Sequence, residues 1–155
     1  MILFVVAASQ TVAFVLTIDQ VPQGLAHALI ALAHGHGGGW VFMLVSIALL
    51  IIMGAALEGA PALIIFGPLL LPVARQFGFD PLHYGIVLII AMGIGLFAPP
   101  LGLGLYTSCA VGNVPIEQTA KPIAKYLLLM LACLLVLAFV PEMTLAVPRA
   151  LGFVK

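Results

Sequence analysis

The stretch GIGLFAPPLGLGLY, residues 93–106, places two adjacent prolines and four glycines inside a strongly apolar part of the chain. A proline removes the helical bond to the carbonyl four residues earlier, so Pro99 and Pro100 are predicted to leave the carbonyls of Gly95 and Leu96 unpaired. The amides just beyond the prolines begin a new helix without partners of their own. One end of this break therefore suits a cation, and the other suits a carboxylate.

The composition places most of the chain in lipid. Of its 155 residues, 65% are hydrophobic and 6% are charged, with a net charge of zero. Soluble domains carry about a quarter charged residues, so this chain could not cover a globular surface. The absence of a basic run argues against a nucleic-acid partner. No Ser/His/Asp set, phosphate loop or zinc pattern occurs, so an enzyme is not predicted.

Apolar and polar blocks predict an all-α membrane protein with a single domain over residues 1–155. The N-terminus lacks the positive region of a cleavable signal and is interpreted as a span. The predicted parts are a transmembrane helix over 1–18, an arm or interfacial segment over 19–40, a re-entrant hairpin over 41–76, a broken transmembrane helix over 82–112, a polar connector over 113–121, a transmembrane helix over 122–140 and a surface tail over 141–155.

The hairpin prediction depends on length. Residues 41–73 would make ~50 Å of helix, too long for one ordinary span, and two full spans need ~40 residues. Two half-depth helices, 41–56 and 62–76, meeting at a tip inside the membrane fit better. Irregular backbone at such a tip must be buried in protein or line a cavity. After the hairpin, Asp80-Pro81 is typical of a helix start, with Asp80 as the N-cap.

The tip sequence GAALEGAP, residues 54–61, repeats the theme of an interrupted helix around Glu58. Two interrupted segments in one short chain indicate a transporter binding site near the bilayer midplane. Ordinary membrane helices also contain glycine and proline, which is the structural alternative. Glu58 is correspondingly either a functional intramembrane carboxylate or a structural acid that caps a helix amide.

The sequence from Met53 to Tyr106 closely resembles the C-terminal half of the large permease (M) subunit of TRAP transporters, the DctM-like family. The matching pieces are the glycine-acid tip, the prolines Pro68 and Pro72, the loop G-x-DP-x-H-x-G over 78–85 and the break G-x-x-x-PP-x-G over 95–102. Their combination is specific, although each piece alone is not.

The resemblance implies a sodium-driven importer of organic acids such as dicarboxylates in the bacterial inner membrane, with sodium as coupling ion and no other cofactor. It implies the second inverted repeat of an ion-transporter-superfamily elevator fold. Implied partners are a small membrane subunit (Q), a periplasmic substrate-binding protein and membrane lipid. Family M subunits are about three times longer, so the remainder of the M subunit is a further expected partner.

By position, the resemblance implies that the tip and the break together hold substrate and sodium. The implied substrate- and ion-binding residues are Glu58, Gly59, Ala60, Gly95, Leu96, Ala98, Pro99, Pro100, Gly102 and Gly104. The carbonyls implied to hold sodium are those of Leu57, Gly59, Gly95 and Ala98. Family members often have polar side chains where this chain has Ala60, Ala91, Ala98 and Gly104, so backbone carbonyls must carry more of the ligation.

Two further function classes stay open at this point: a membrane fragment that packs with partner subunits without transporting, and a channel-like pore. The pore is disfavoured because no ring of polar residues is evident. Thr107 and Ser108 could reach the site or bond back to their own helix. Cys109 and Cys133 lie in apolar stretches and are interpreted as packing residues.

The histidines are the remaining chemically active side chains. His34 and His36, with His27 seven residues earlier, have no cysteine or acid at useful spacing, so they are interpreted as loop residues at a membrane edge and not as a metal site. His83 in the DPLHYG loop is assigned to a helix start in preference to a proton relay.

Overall fold

A computed structural model describes residues 38–57, 59–99 and 102–152, with scattered positions between 11 and 31. Between residues 38 and 152 the described residues form helices and no strand, which confirms the all-α class for this part. The helices are α1 (Gly39–Ala56), α2 (Gly59–Gln76), α3 (Pro81–Phe97), α4 (Leu103–Gly112), α5 (Ile116–Phe139) and α6 (Pro141–Ala150). Among them, α1 and α5 are long and apolar enough to cross a membrane. The predicted span 1–18 and arm 19–40 lie mostly outside the described residues.

The two helices at the predicted hairpin are longer than expected. α1 and α2 have 18 residues each, and α2 begins at Gly59, three residues earlier than predicted. Pro61 falls in the first turn of α2, where its missing N–H removes no helical bond. Each helix is ~27 Å long against a ~30 Å hydrocarbon core. The half-depth entry of the hairpin therefore stays a prediction.

Glycine contacts fix the relative direction of α1 and α3. A Cβ built on Gly39 would lie 3.1 Å from the Phe79 ring, and one built on Gly54 would lie 2.6 Å from the Met92 carbonyl oxygen. These contacts join residues 40 and 38 positions apart, at the start and the end of α1. α1 and α3 consequently run parallel along their whole length, and α2, which connects them, returns in the opposite direction.

The third helix is the centre of the described bundle. α3 packs against α1, α2 and α5, and its buried positions recur every three or four residues, as a helix face does. They are His83, Tyr84, Val87, Leu88, Ala91, Met92, Ile94 and Gly95. By contrast, α5 buries Leu134 and Ala138 and leaves most of its apolar surface exposed. Exposed apolar surface on this scale indicates a helix bounded by lipid or by another protein.

Aromatic rings gather where α1 begins, and we call this region the aromatic end. Trp40 stacks on Phe139 with ring centroids 5.0 Å apart, and Phe42 stacks on Phe77 at the same distance. Phe79 packs edge-on against Trp40. The start of α1, the α2–α3 connection and the end of α5 are thereby held together. A tryptophan at this end fits an interfacial anchor.

The start of α3 confirms the predicted cap. The Asp80 carboxylate accepts hydrogen bonds from the amides of Leu82 (2.8 Å) and His83 (3.3 Å), and Pro81 occupies the first helical position. The carboxylate thus satisfies two first-turn amides that have no acceptor within the helix, and Pro81 has no N–H that needs an acceptor. The loop residues fix the point at which α3 leaves the aromatic end.

The buried His83 side chain ties α3 to α5 and α6. Its Nδ1 lies 2.7 Å from the Thr144 hydroxyl and its Nε2 lies 3.3 Å from the Ala138 carbonyl oxygen. The Ala138 carbonyl is in the last turn of α5 and has no helical donor, so the imidazole satisfies it. His83 lies in the first turn of its helix, as predicted, and its ring secures the aromatic end.

The polar connector before α5 is shorter than predicted. Residues 113–121 were expected to form a loop, but the loop ends at Pro115 and α5 begins at Ile116. Asn113, with φ 51°, closes α4 in the left-handed conformation. Glu117 is favoured in the first turn of α5, beside its positive end, so a polar sequence continues as helix.

The segment predicted as a surface tail, residues 141–155, is helical where the structure describes it, and most of its described side chains are exposed. Residues 141–150 form α6, and Leu145 is 3% exposed. Pro141 follows the end of α5 and is also the first residue of α6, because proline is tolerated in the first turn of a helix. The proline therefore predicted the end of one helix without showing that another begins. The Thr144 contact to His83 then holds α6 against the bundle.

We expect Tyr84→Phe to stabilise the protein. Tyr84 is fully buried, and its hydroxyl has no hydrogen-bond partner among the described residues. Removing an unsatisfied buried hydroxyl should raise the free energy of unfolding by ~1–2 kcal/mol. Thermal unfolding in detergent measures this, with the exposed Tyr106→Phe as control. A lower melting temperature for Tyr84→Phe than for the parent would contradict the packing described here.

Candidate functional site

The last turns of α1 and α3 meet backbone against backbone. A Cβ on Gly95 would collide with the Ile51 carbonyl oxygen and would lie 3.0 Å from the Ala55 nitrogen. On the other helix, a Cβ on Gly54 would lie 2.6 Å from the Met92 carbonyl oxygen. Both positions therefore require glycine. The C-terminal ends of two parallel helices are held side by side as a result.

This arrangement concentrates negative potential. A helix C-terminus carries the equivalent of about −0.5 elementary charge, and two parallel ends repel each other. In α1 the Met53 carbonyl accepts from the Leu57 amide at 2.8 Å, and the carbonyls of Ala55 and Ala56 lie beyond this bond, in the last turn of the helix. Carbonyl oxygens at interrupted helix ends are suited to Na⁺. The converging ends thus favour a cation.

The end of α3 differs from the sequence prediction at Gly95. Its carbonyl was expected to be unpaired, but it accepts the Ala98 amide at 2.9 Å because the helix tightens in its last turn. The Leu96 carbonyl is different, since its donors three and four residues on would be Pro99 and Pro100, and neither has an N–H. Leu96 therefore supplies the carbonyl that the prolines release.

Two glycines at the start of α4 pack onto that carbonyl. A Cβ on Gly102 would lie 2.6 Å from the Leu96 oxygen, and one on Gly104 would lie 3.1 Å from it. The Gly102 amide, predicted to be free, donates to the Ala98 carbonyl at 2.8 Å. The amides of Leu103 and Gly104 lie in the first turn of α4, where an N–H has no acceptor within its own helix. The break is a compact turn with a carbonyl on one side and amides on the other.

The N-terminal ends of α2 and α4 supply positive potential. Gly59 and Ala60 are the first two residues of α2, and Leu103 is the first of α4. Their amides lie in first turns, which are suited to anions. Leu57, the C-cap of α1, is fully buried. Interrupted helices therefore provide both kinds of end, as the sequence predicted.

The structure places the predicted site residues in two groups. Glu58 and Pro100 lie outside the described residues. The break brings together the backbone of Gly95, Leu96, Ala98, Gly102 and Gly104, with Pro99 exposed. The tip residues Leu57, Gly59 and Ala60 follow directly on the turn of α1 that touches Gly95. The assignment of particular residues to sodium or substrate stays a prediction.

Two hydroxyl side chains near the break make hydrogen bonds within their own helix. Thr107 and Ser108 donate to the Gly104 carbonyl at 3.1 and 2.7 Å, so they bond back to their own helix. Within the described ranges, no group of three or more His, Cys, Asp or Glu side chains gathers as a metal site. Cys109 and Cys133 are both free.

Sequence reasoning missed the partners that face Gly95 and Gly54. Ile51, Ala55 and Met92 contribute backbone atoms to the contact, and their side-chain types carry no chemical signal. The available signal was the run of small residues at 54–56, because small residues let membrane helices approach closely.

Comparison with known proteins identifies the family to which the chain is similar. The model of the family described as "Tripartite ATP-independent periplasmic transporter, DctM component" matches residues 1–143. No solved structure matches the chain.

Several curated proteins are similar over nearly all of the chain. The C4-dicarboxylate TRAP transporter large permease protein DctM of Pseudomonas aeruginosa is 34% identical over 152 residues, 98% of this chain and 35% of that protein. The protein of the same name in Rhodobacter capsulatus is 30% identical, again over 98% of this chain and 34% of that protein. The isethionate TRAP transporter permease protein DctMQ of Oleidesulfovibrio alaskensis is 35% identical over 127 residues, 82% of this chain and 20% of that protein. The chain spans about a third of the length of the two DctM relatives.

Proposed function

Because this chain belongs to the DctM component family of tripartite ATP-independent periplasmic transporters, we propose that it forms part of a sodium-driven importer of organic acids. Sodium and substrate bind where α1 ends and where α3 is broken. The chain works in the bacterial inner membrane as a multi-pass protein. The sodium coupling and the site are the parts of this proposal that need a direct test.

The observation that carries the proposal is the convergence of the α1 and α3 C-termini at Gly54 and Gly95. Two ends of about −0.5 charge each are offset by one monovalent cation, which removes the repulsion between them. The Leu96 carbonyl, released by the prolines, belongs to the residue that follows Gly95 in α3. A sodium ion bound here stabilises the tip and the break together.

An acidic substrate fits the helix N-termini that follow the same two interruptions, at the starts of α2 and α4. The first-turn amides of Leu103 and Gly104 in α4, with those of Gly59 and Ala60 in α2, donate hydrogen bonds to a carboxylate. The names of two relatives specify a C4-dicarboxylate and isethionate as transported compounds. A dicarboxylate or related organic acid is accordingly the substrate class that we propose.

The proposed assembly includes three protein partners. The remainder of the permease completes the site, because the chain spans about a third of its relatives. A relative named DctMQ supports a small Q subunit. A periplasmic substrate-binding protein delivers the substrate, as the family description "periplasmic transporter" suggests.

Glu58→Gln tests whether the tip carboxylate acts on sodium. We expect the sodium concentration for half-maximal uptake to rise about tenfold, which corresponds to ~1.4 kcal/mol of lost binding. Uptake of labelled dicarboxylate into proteoliposomes that hold the complete transporter gives this value. Glu142→Gln is the matched control, because Glu142 lies on α6 with its side chain 85% exposed.

The outcomes separate the alternatives. Equal sodium curves for Glu58→Gln and the parent would assign Glu58 to a structural cap, since glutamine keeps a hydrogen-bonding side chain. No sodium-dependent uptake by the complete parent transporter would contradict the proposal and favour a chain that packs with partner subunits without transporting.

A further inference from the structure

One exposed row of α2 combines apolar side chains with an interrupted backbone. Ile64, Pro68 and Pro72 follow one another at four-residue spacing, and we call them the proline row. The Ile64 side chain is 74% exposed, and both prolines are exposed. The row therefore faces away from the rest of the described bundle.

The prolines leave backbone acceptors on this face. Pro68 cannot donate to the Ile64 carbonyl, and Pro72 cannot donate to the Pro68 carbonyl. In hydrocarbon each unsatisfied group costs several kcal/mol. Two such carbonyls on one row make it a poor surface for lipid.

The exposed face of α5 provides the contrast. Leu128 and Leu129 are 69% and 62% exposed, and no proline follows Pro122 before the end of this helix. Every carbonyl along residues 123–135 consequently has an amide four residues on. This face presents apolar side chains over a satisfied backbone, as a lipid-facing helix must.

We propose that the proline row is the surface on which the remainder of the permease polypeptide packs, whereas the Leu128–Leu129 face of α5 contacts lipid. About two thirds of the length of the DctM relatives has no counterpart in this chain. The corresponding part of the permease needs a surface of this chain to pack against. Hydroxyl or amide side chains of the packing helix donate to the Ile64 and Pro68 carbonyls. A water-filled cavity is disfavoured because the strongly exposed Ile64 flanks both carbonyls.

Photo-crosslinking in the complete transporter tests this assignment. Ile64→p-benzoylphenylalanine and Leu128→p-benzoylphenylalanine place the same reactive group on the two faces. On irradiation in native membranes, we expect the Ile64 variant to crosslink to permease peptides outside this chain, as identified by mass spectrometry. We expect the Leu128 variant to give lipid adducts. Leu63, 38% exposed beside the row, is a second position for the probe if the Ile64 variant expresses poorly.

Three results would overturn the inference: lipid adducts at Ile64, equal permease crosslinking at both positions, or peptides from another polypeptide at Ile64. Rapid labelling of Ile64→Cys by a membrane-impermeant maleimide would also overturn it by showing an aqueous cavity. The inference rests on family membership and not on sodium coupling. If the Ile64 variant crosslinks to the permease but the transporter shows no sodium-dependent uptake, the proposed function is wrong and the interface is still supported.

Discussion

Gly95→Ala is expected to separate α1 from α3 and abolish uptake. The new methyl group would collide with the Ile51 carbonyl oxygen and approach the Ala55 nitrogen, both of which are backbone atoms that cannot rotate away. Forcing the helices apart should cost ~3 kcal/mol or more, at the upper end of overpacking effects. The melting temperature of the purified transporter and its uptake rate measure the change.

Gly93→Ala is the matched control on the same helix. A Cβ at Gly93 would meet no atom within 4 Å, so the substitution adds a methyl group without a clash. Alanine also favours a helix over glycine by up to ~1 kcal/mol, which makes a small gain in stability the expected result. If Gly95→Ala and Gly93→Ala melted alike, the close contact between α1 and α3 would be wrong.

Gly102→Ala is expected to weaken sodium dependence as well as stability. Its Cβ would press on the Leu96 carbonyl oxygen and on the Ala98 backbone, which displaces the acceptor that the prolines release. We expect the sodium concentration for half-maximal uptake to rise at least about tenfold, or ~1.4 kcal/mol. Sodium titrations of uptake in proteoliposomes give this shift.

Gly112→Ala at the other end of α4 controls for the loss of a glycine. A Cβ there would lie 3.8 Å from the nearest atom, a Val114 methyl group, which is an ordinary contact. Its sodium curve should match that of the parent. If Gly102→Ala also gave the sodium curve of the parent, the break would not be part of the ion site.

Local sequence signals predicted most of the helix breaks. Asp80-Pro81 marked the start of α3 because each residue has a local role at a helix N-terminus. The prolines after Ala98 marked its end for an equally local reason. Where the signal was polarity alone, as in residues 116–121, the prediction of a loop was wrong because a polar segment can also be helical.

Tertiary register could not be predicted in the same way. The pairing of Gly54 with Met92 and of Gly95 with Ile51 depends on how two helices 38 to 44 positions apart align. No local pattern states that alignment, because many small residues could have faced the partner helix. The hydrogen bond that closes the Gly95 carbonyl likewise depends on how the last turn tightens.

The most direct measurement of the central claim is a sodium titration of the thermal stability of the purified, complete transporter, with potassium and choline chloride at equal ionic strength as references. If a cation holds the α1 and α3 ends together, sodium should stabilise the protein with the logarithm of its concentration once it exceeds the dissociation constant, by ~1.4 kcal/mol at ten times that constant. Potassium and choline should not, and Gly102→Ala should shift the titration to higher sodium. Identical melting in all three salts would contradict the account.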